Sequence, residues 1–511
     1  MQRKHQRAVI ALGLPLATGS LVLTGCTGGS STTGTGSSSG GGKGTLTLVE
    51  TADIQGWDPA NQPSYQNWTA PAVFDSLLRC DEHNNPSPAV AQTWKVNKES
   101  TGITLHLKSG LKFSDGTALD SAAVKASFEH VEKSPNSSRY ANLKITTPDS
   151  STVTITWPDQ QPLIVRKICD AWLASPKWLA GGKLNGTPVG SGPYVLDSSA
   201  TTRGSVYTFT RNPSYRDPKA FPYQKLVVKI MTSETAAVNA LKTGQVDGTL
   251  ITQASYNEAK TSGLGIATMS GNTTRLLITD HLGKKVPALG KLDVRRAINM
   301  VFDKEAMANK LYQGHATPAS QIFRPGTSAY IKGLKDPYPY NVAEAKKLMA
   351  RAGYASGFTV QIPYMQGVGL DALLPYVTQQ LKLIGITVKQ VTLSGPNAIS
   401  ELLSGKYPMP LWQLGNYGDP LQDIQDYALQ DGIWNVEHQK DAKIAELWTQ
   451  ILGGDKEQRI QAEQAVNRYI TDQAWFAPMV YPQNFYAYSK RVSIPEITDF
   501  SQLNPQLWDF K

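Results

Sequence analysis

Cysteine is scarce in this chain: Cys26, Cys80 and Cys169 are the only three in 511 residues. A disulfide-rich scaffold is thereby excluded. Histidine is scarce too. His5, His83, His106, His130, His281, His315 and His438 include no pair at the four-residue spacing of a zinc-binding helix. A mean hydropathy of −0.30 argues against a polytopic membrane protein. Charged residues are 18% of the chain, without a tight Lys/Arg cluster, which argues against nucleic-acid binding. No phosphate loop of the Walker type is present, and no Gly-x-Gly-x-x-Gly opens a helix. Nothing singles out the carboxylate pair that a secreted carbohydrate hydrolase would need. The repeats or stalk of a protein that only contacts a cell wall are missing as well. No catalytic residue, metal or cofactor is expected, and a secreted hydrolase stays a remote alternative.

What is present is 40% hydrophobic residues over a length of about three domains. Such a chain buries large cores without metals or disulfide staples. Its first residues have a different character. Arg3, Lys4 and Arg7 precede an uncharged, mostly apolar run over residues 8–25, interrupted by Gly13, Pro15 and Gly19. That is the pattern of an export signal, too short and broken for a membrane span. Loss of residues 1–25 removes three of the charges behind a net +9. The run ends in Leu23-Thr24-Gly25-Cys26, which resembles the lipobox of bacterial lipoproteins. The resemblance implies that the Cys26 thiol receives a diacylglycerol after cleavage before it. Two or three acyl chains anchor stably where one is marginal. Residues 27–44 are Gly, Ser and Thr except for Lys43, so 26–44 reads as a flexible tether. Within it, Gly36-Ser37-Ser38-Ser39-Gly40 matches the hydrolase Gly-x-Ser-x-Gly spuriously, having no strand before it and no helix after. With Cys26 lipidated, Cys80 and Cys169 are left on the oxidising side of the membrane. They are either a disulfide or two separate buried thiols, which spacing does not decide.

The body reads as α/β. Residues 45–49, 103–107, 152–156 and 225–231 carry strand patterns. Asp120 is placed to cap a helix bearing Val124, Phe128 and Val131, and residues 235–243 form a short helix stopped by Gly244. Val294, Ala297, Ile298, Val301, Phe302 and Ala308 follow helical spacing. Asn341 caps another helix, with Glu344 in a capping-box-like position. A strand over 358–364, a helix over 372–384 stopped at Gly385, and a strand over 386–389 repeat a rhythm that indicates an α/β layer. Two helices follow, near 441–452 and 455–472.

Six ordered pieces carry a family resemblance. They are Leu105-His106-Leu107-Lys108-Ser109-Gly110-Leu111-Lys112-Phe113-Ser114-Asp115-Gly116-Thr117, Gly190-Ser191-Gly192-Pro193-Tyr194, Arg211-Asn212-Pro213-Ser214-Tyr215, Leu241-Lys242-Thr243-Gly244-Gln245-Val246-Asp247, Asp293-Val294-Arg295-Arg296-Ala297-Ile298, and residues 340–348 from Tyr340 to Leu348. Residues 45–511 thereby resemble the family 5 extracellular solute-binding proteins, the peptide-binding class of ABC importers. Ala118 and Ala123 depart from the family pattern. The resemblance implies a bilobed periplasmic-binding-protein-like α/β fold of the large type II class. Lobe I would take residues 45–59, 186–271 and 479–511, with an extra subdomain over 60–185. Lobe II would take 272–478. A monomer on the extracytoplasmic face of the membrane would enclose a peptide or peptide-like solute between its lobes and deliver it to the transmembrane permease subunits.

In peptide-binding members, an aspartate in a motif resembling Asp-Tyr-x-Asp-Pro anchors the ligand's α-ammonium. This chain reads Gly415-Asn416-Tyr417-Gly418-Asp419-Pro420, so the anchor falls on Asn416. Asn accepts a hydrogen bond but cannot neutralise a buried ammonium. Either another acid serves, with Asp419 and Asp423 nearby, or the ligand has no free amine there. Asp419 could instead only cap the following turn. The family's usual Trp position is Gln413 here, beside Trp412. Both departures favour a ligand held by aromatic faces and neutral hydrogen bonds, with an oligosaccharide, opine-like compound, siderophore or metal chelate as alternatives to a peptide. Trp412, Tyr417 and Trp434 are the aromatic candidates, with Trp57, Tyr65 and Trp68 on the facing side. Core packing is an equal reading for each of the six.

Overall fold

The computed structural model describes residues 43–54, 56–61, 68–81, 85–134, 140, 142–365, 369–394, 398–414, 419–495 and 507–511. The export-signal run, Cys26 and most of the tether lie outside these residues. The first strand, β1 (Lys43–Glu50), begins two residues inside the segment read as tether. The alternation of Leu46 and Leu48, both buried, extends its pairing back to Lys43.

β1 is the middle of a parallel trio. It pairs with β2 (Tyr223–Ile230) over its whole length and touches β3 (Gly248–Ile251) on the other side. The helix Glu234–Lys242, capped by Ser233, links β2 to β3. Next come β4 (Gly265–Ser270) and β5 (Thr273–Leu277), then β6 (Leu411–Leu414), the helix α1 (Pro420–Tyr427) and the last strand β7 (Phe476–Tyr488). β7 is 13 residues long and is shared. Its C-terminal half, from Gln483 to Tyr488, pairs with β3 and β4. Its N-terminal half, from Phe476 to Pro482, pairs with β5 and with the short strand Ala316–Pro318. β5 in turn pairs with β6. One strand thus ties two sets of strands into a single ten-stranded sheet.

Separate cores lie on either side of this junction. Leu46, Leu48, Phe209, Leu226 and Tyr486 belong to one, beside β1 and β2. Leu276, Val294, Leu348, Ile362, Val377 and Ile386 belong to another. The latter includes the unit that the Gly-stop pattern predicts. Strands Phe358–Met365 and Ile386–Leu393 are parallel, with the helix Leu373–Lys382 between them in sequence. Gly385 ends that connection at φ +83°, and a Cβ on Gly357 would fall 1.8 Å from its carbonyl oxygen, so glycine is required at both.

Caps fall where the polar residues suggest. Asp120 accepts from the Ala123 N–H at 3.0 Å and starts the helix Ser121–Glu132. Asp455 and Gln458 form a full capping box at the helix Lys456–Asp472. Asn341 accepts from the Glu344 N–H at 2.9 Å, but its own N–H donates to the Met300 carbonyl. The expected box is therefore half-made. The helical spacing from Val294 to Ala308 does not give one helix. The first helix stops at Asn299, and Asp303 caps a new start by accepting from the Ala306 N–H at 2.9 Å. A side chain that competes for backbone N–H groups has overridden the apolar period.

A third core fills residues that precede the main sheet's middle strands. Strands Ala91–Val96, Gly102–Leu107, Thr152–Thr156 and Lys144–Asp149 form an antiparallel sheet in that order, with Val124 and Phe128 of the capped helix in its core. Cys80 and Cys169 are joined in this core's margin, with Cα atoms 5.7 Å apart and 89 residues between them in sequence. Closing so long a loop restricts the unfolded chain. Replacing both cysteines by serine is expected to cost about 2–4 kcal/mol, read as a lower denaturant midpoint under oxidising conditions. An unchanged midpoint would contradict the pairing.

Candidate functional site

β6 leads directly into residues 415–418 and then into α1. Asn416 and Tyr417 lie outside the described residues, as does Tyr65. Asp419 is the N-cap of α1, accepting from the Leu421 N–H at 2.9 Å, with Pro420 in the first helical position. Of the two readings of Asp419, the structure displays the capping one. Gln413 and Trp412 are half-buried on β6, opposite Thr274 and Arg275 of β5. Trp412 packs against Trp434, ring centroids 5.8 Å apart and tilted by 32°. These two indoles are brought together as a half-buried pair, and both also border the cores beneath.

Trp57 and Trp68 are placed differently. They are 2% and 1% exposed. Trp57 packs edge-on against Tyr207 and Phe209, and Trp68 against Tyr486 and Phe510. They pack in the core of the β1–β2 side, the reading that stood beside a ligand-facing one for each of them. An indole surrounded by other rings gains more from burial than from facing solvent, and sequence spacing alone does not reveal those distant partners. Asp58, which follows Trp57, lies 2.8 Å from the His130 ring nitrogen.

The charged interior was not legible beforehand except for Asp423. That carboxyl is buried in the first turn of α1 and accepts from the Tyr427 hydroxyl at 3.0 Å. Burial pushes it up to about 7, and the positive charge of Arg275 pulls it back. Arg275 stands in the middle of β5, all five residues of which are buried. The one signal that could have found it is a basic residue inside the otherwise uncharged run Thr273-Thr274-Arg275-Leu276-Leu277. Glu50 is a missed carboxyl, at the C-terminal end of β1. Burial raises it to about 8, opposed by the Trp68 backbone amide and reinforced by Asp53. In an open α/β sheet, the carboxyl ends of parallel strands face the crevice in which ligands bind.

Both carboxyls hold a proton more tightly in the folded chain than in the unfolded one. Their protons are therefore taken up on folding in the window from about 4 to about 8, and stability falls as pH rises through it. Glu50→Gln removes the Glu50 share. The variant is expected to gain on the wild type in melting temperature between about pH 5 and about pH 9. Parallel melting curves for the two proteins across that range would contradict the buried, raised carboxyl.

Residues 85–435 match the family model described as bacterial extracellular solute-binding proteins, family 5 Middle. Among curated relatives, the glutathione-binding protein of Escherichia coli K12 is 24% identical over 345 residues, 65% of this chain and 66% of that one. The nickel-binding protein of Staphylococcus aureus is 25% identical over 295 residues, 56% of this chain and 57% of that one. The match thus spans less than two thirds of either relative. Di/tripeptide-binding protein 1 of Pseudomonas aeruginosa is 25% identical over 420 residues, 73% of this chain and 76% of that one. In fold, the chain resembles a binding protein of A. tumefaciens R10 in complex with agropinic acid, at a TM-score of 0.82 and 23% identity over 92% of this chain and 98% of that one. It also resembles the peptide-bound binding protein of Helicobacter pylori, at 0.80 and 20% identity over the same shares. Among the described residues, no helix is long and apolar enough to cross a membrane. The α/β body has the bilobed fold of periplasmic solute-binding proteins. A model match over more than half of its length shows that the chain belongs to the family 5 bacterial extracellular solute-binding proteins.

Proposed function

We propose that this chain is the solute-capturing receptor of an ABC-type importer. The family match over residues 85–435 carries the reading. Cleaved before Cys26 and acylated there, the chain is tethered to the outer face of the cell membrane by its Gly/Ser/Thr segment. A single copy takes up a solute between its two lobes and presents the closed form to the permease. The lobe boundaries are those the resemblance implies, 45–59 with 186–271 and 479–511 against 272–478, with 60–185 appended. The sharing of β7 between β3–β4 and β5 supports this division, because it leaves a short stretch of strand as the natural place for bending. Differential affinity for the closed form shifts the population toward it.

The solute is a peptide or a peptide-like compound. Relatives named for glutathione and for di- and tripeptides support that class. Asn416 in place of an aspartate favours a ligand whose amine is blocked or absent, and the opine-bound relative keeps a non-peptide solute as the second reading. Asn416, Tyr417, Asp419, Trp412, Gln413 and Trp434 are the residues proposed to line the site.

A melting screen against free and N-acetylated di- and tripeptides, glutathione, opines and Ni(II)–histidine tests the receptor role. One class is expected to stabilise the protein in a saturable way, by about 2.7 kcal/mol at a hundredfold excess over its dissociation constant. Chemical conversion of the stabilising solute would contradict a receptor. Asp419→Ala is expected to lower stability by about 0.5–2 kcal/mol through loss of the cap, with no loss of selectivity for blocked amines. Tight binding of free-amine peptides that Asp419→Ala abolishes and Asn416→Ala spares would overturn the assignment at 416. Cys26→Ser is expected to move the protein from the membrane fraction into the medium or periplasm. Continued membrane retention of that variant would refute the anchor.

A further inference from the structure

Two consecutive residues of this chain belong to different cores. Ile164 shares a core with Ile103, Val153 and Ile168, around the antiparallel sheet that includes Gly102–Leu107 and Thr152–Thr156. Leu163, one position earlier, is 6% exposed and belongs to another cluster, with Leu277, Leu421, Ile444 and Ile451 among its members. Every other buried member of that cluster lies between Leu277 and Phe476. Near Leu163, the exposed Gln160 donates through Nε2 to the Leu452 carbonyl at 3.3 Å, in the last turn of the helix Ala442–Gly453. One apolar side chain and one amide thus cross from the appended subdomain, 60–185, to the part of the body proposed as lobe II.

The loop that makes this crossing is held stiff from its own side. The Trp157 N–H donates to the Thr101 carbonyl at 2.8 Å, and the Gln161 N–H to the Ser100 carbonyl at 2.7 Å. Pro158 and Pro162 fix φ on both sides of Asp159-Gln160-Gln161. Lys167 donates through Nζ to the Gln161 side chain at 2.5 Å, and the Tyr140 hydroxyl donates to the Lys167 carbonyl at 2.9 Å. The helix Ile164–Cys169, which begins directly after Leu163, is fastened at its far end by the bond from Cys169 to Cys80. Leu163 is therefore presented as a fixed knob, with little left to order when it is seated.

The seat lies in the same packed body as part of the candidate site. Its cluster includes Leu421 and Ile424 of α1, the helix that Asp419 caps, and the indoles of Trp412 and Trp434 border it. The size of the contact suits something made and broken repeatedly. Burial of one leucine side chain shifts an equilibrium by roughly ten- to a hundredfold. That is enough to bias a closing motion and too little to weld two units together, which takes a large apolar interface.

We propose that the loop from Trp157 to Leu163 is the catch of the closing motion. Leu163 seats against lobe II and Gln160 ties to the Leu452 carbonyl when the halves close about β7, and both leave when they open. The inference rests on the receptor reading and adds to it a device that sets the strength of closure. A contact made only in the closed form favours that form whatever the solute, so the catch tightens the binding of every solute by one factor.

The test uses the Cys26→Ser chain with spin labels at Asp159→Cys and Thr449→Cys, exposed positions on the loop and on the helix it reaches. Cys80 and Cys169 are bonded to each other and take no label. The distance between labels is read without solute and at saturation with each solute of the melting screen that stabilises the chain. The parent is expected to show a short-distance population, which Leu163→Asp moves to longer distances and Leu163→Met keeps. Each stabilising solute is expected to lose about tenfold or more in apparent affinity in Leu163→Asp. One short distance common to the parent and Leu163→Asp makes the contact a permanent part of the core and overturns the proposal. A parent that shows no short distance under any of these conditions overturns it too. Should Leu163→Asp fail to fold, Leu163→Ala combined with Gln160→Ala is read in the same way. Saturable stabilisation by a solute with no shift of distance in the variant overturns the catch and leaves the receptor reading intact. Turnover of a solute overturns the receptor reading and leaves the distance shift to stand by itself.

Discussion

The architecture depends on the double pairing of β7. A strand donates and accepts on both edges, and every buried backbone group needs a partner. Over 13 residues, β7 meets this requirement with one set of strands for its first half and another for its second. Each set is then free to build its own core, with Leu226 and Tyr486 on one side and Leu276 and Ile362 on the other. The receptor proposal assigns bending to the place where the partners of β7 change, near Pro482.

Polar groups are buried close to that junction at a cost the cores could have avoided. Asp423, Arg275 and Glu50 are all shielded from water, and both carboxyls are raised for that reason. Replacement of buried charge by apolar side chains of similar volume is often neutral or stabilising. Local rules tend to be broken at functional places and compensated elsewhere. Arg216 shows the contrast. It grips Asp75 through Nε at 2.6 Å and Nη2 at 3.2 Å, a closed pair that asks for no ligand.

Elements with strong local signals could be read directly. Asp120, Asn341 and Asp455 mark helix starts because a short polar side chain and a free N–H meet within three residues. Gly385 marks a stop because its φ is positive. The helical run from Val294 misled because Asp303 restarts the chain inside it. β3, β5 and β6 escaped notice. They are four or five residues long, and their pairing with β7 or with each other joins residues about two hundred positions apart or across the whole second half. The site was legible only at its named motif. Trp57 and Trp68 were indistinguishable from ligand-facing rings until their partners Tyr207 and Tyr486 were placed beside them. Arg275 was hidden in an apolar strand. Its neighbours Asp423 and Tyr427 lie about 150 positions further on, and no pattern along the chain expresses that.

Family membership and the shared strand support the proposal of a body that encloses a solute by bending without altering it. Small-angle scattering of the mature protein, free and saturated with a stabilising solute, tests that claim most directly. The radius of gyration is expected to fall on saturation as the halves close about β7. An unchanged radius at full occupancy would contradict enclosure between two moving halves.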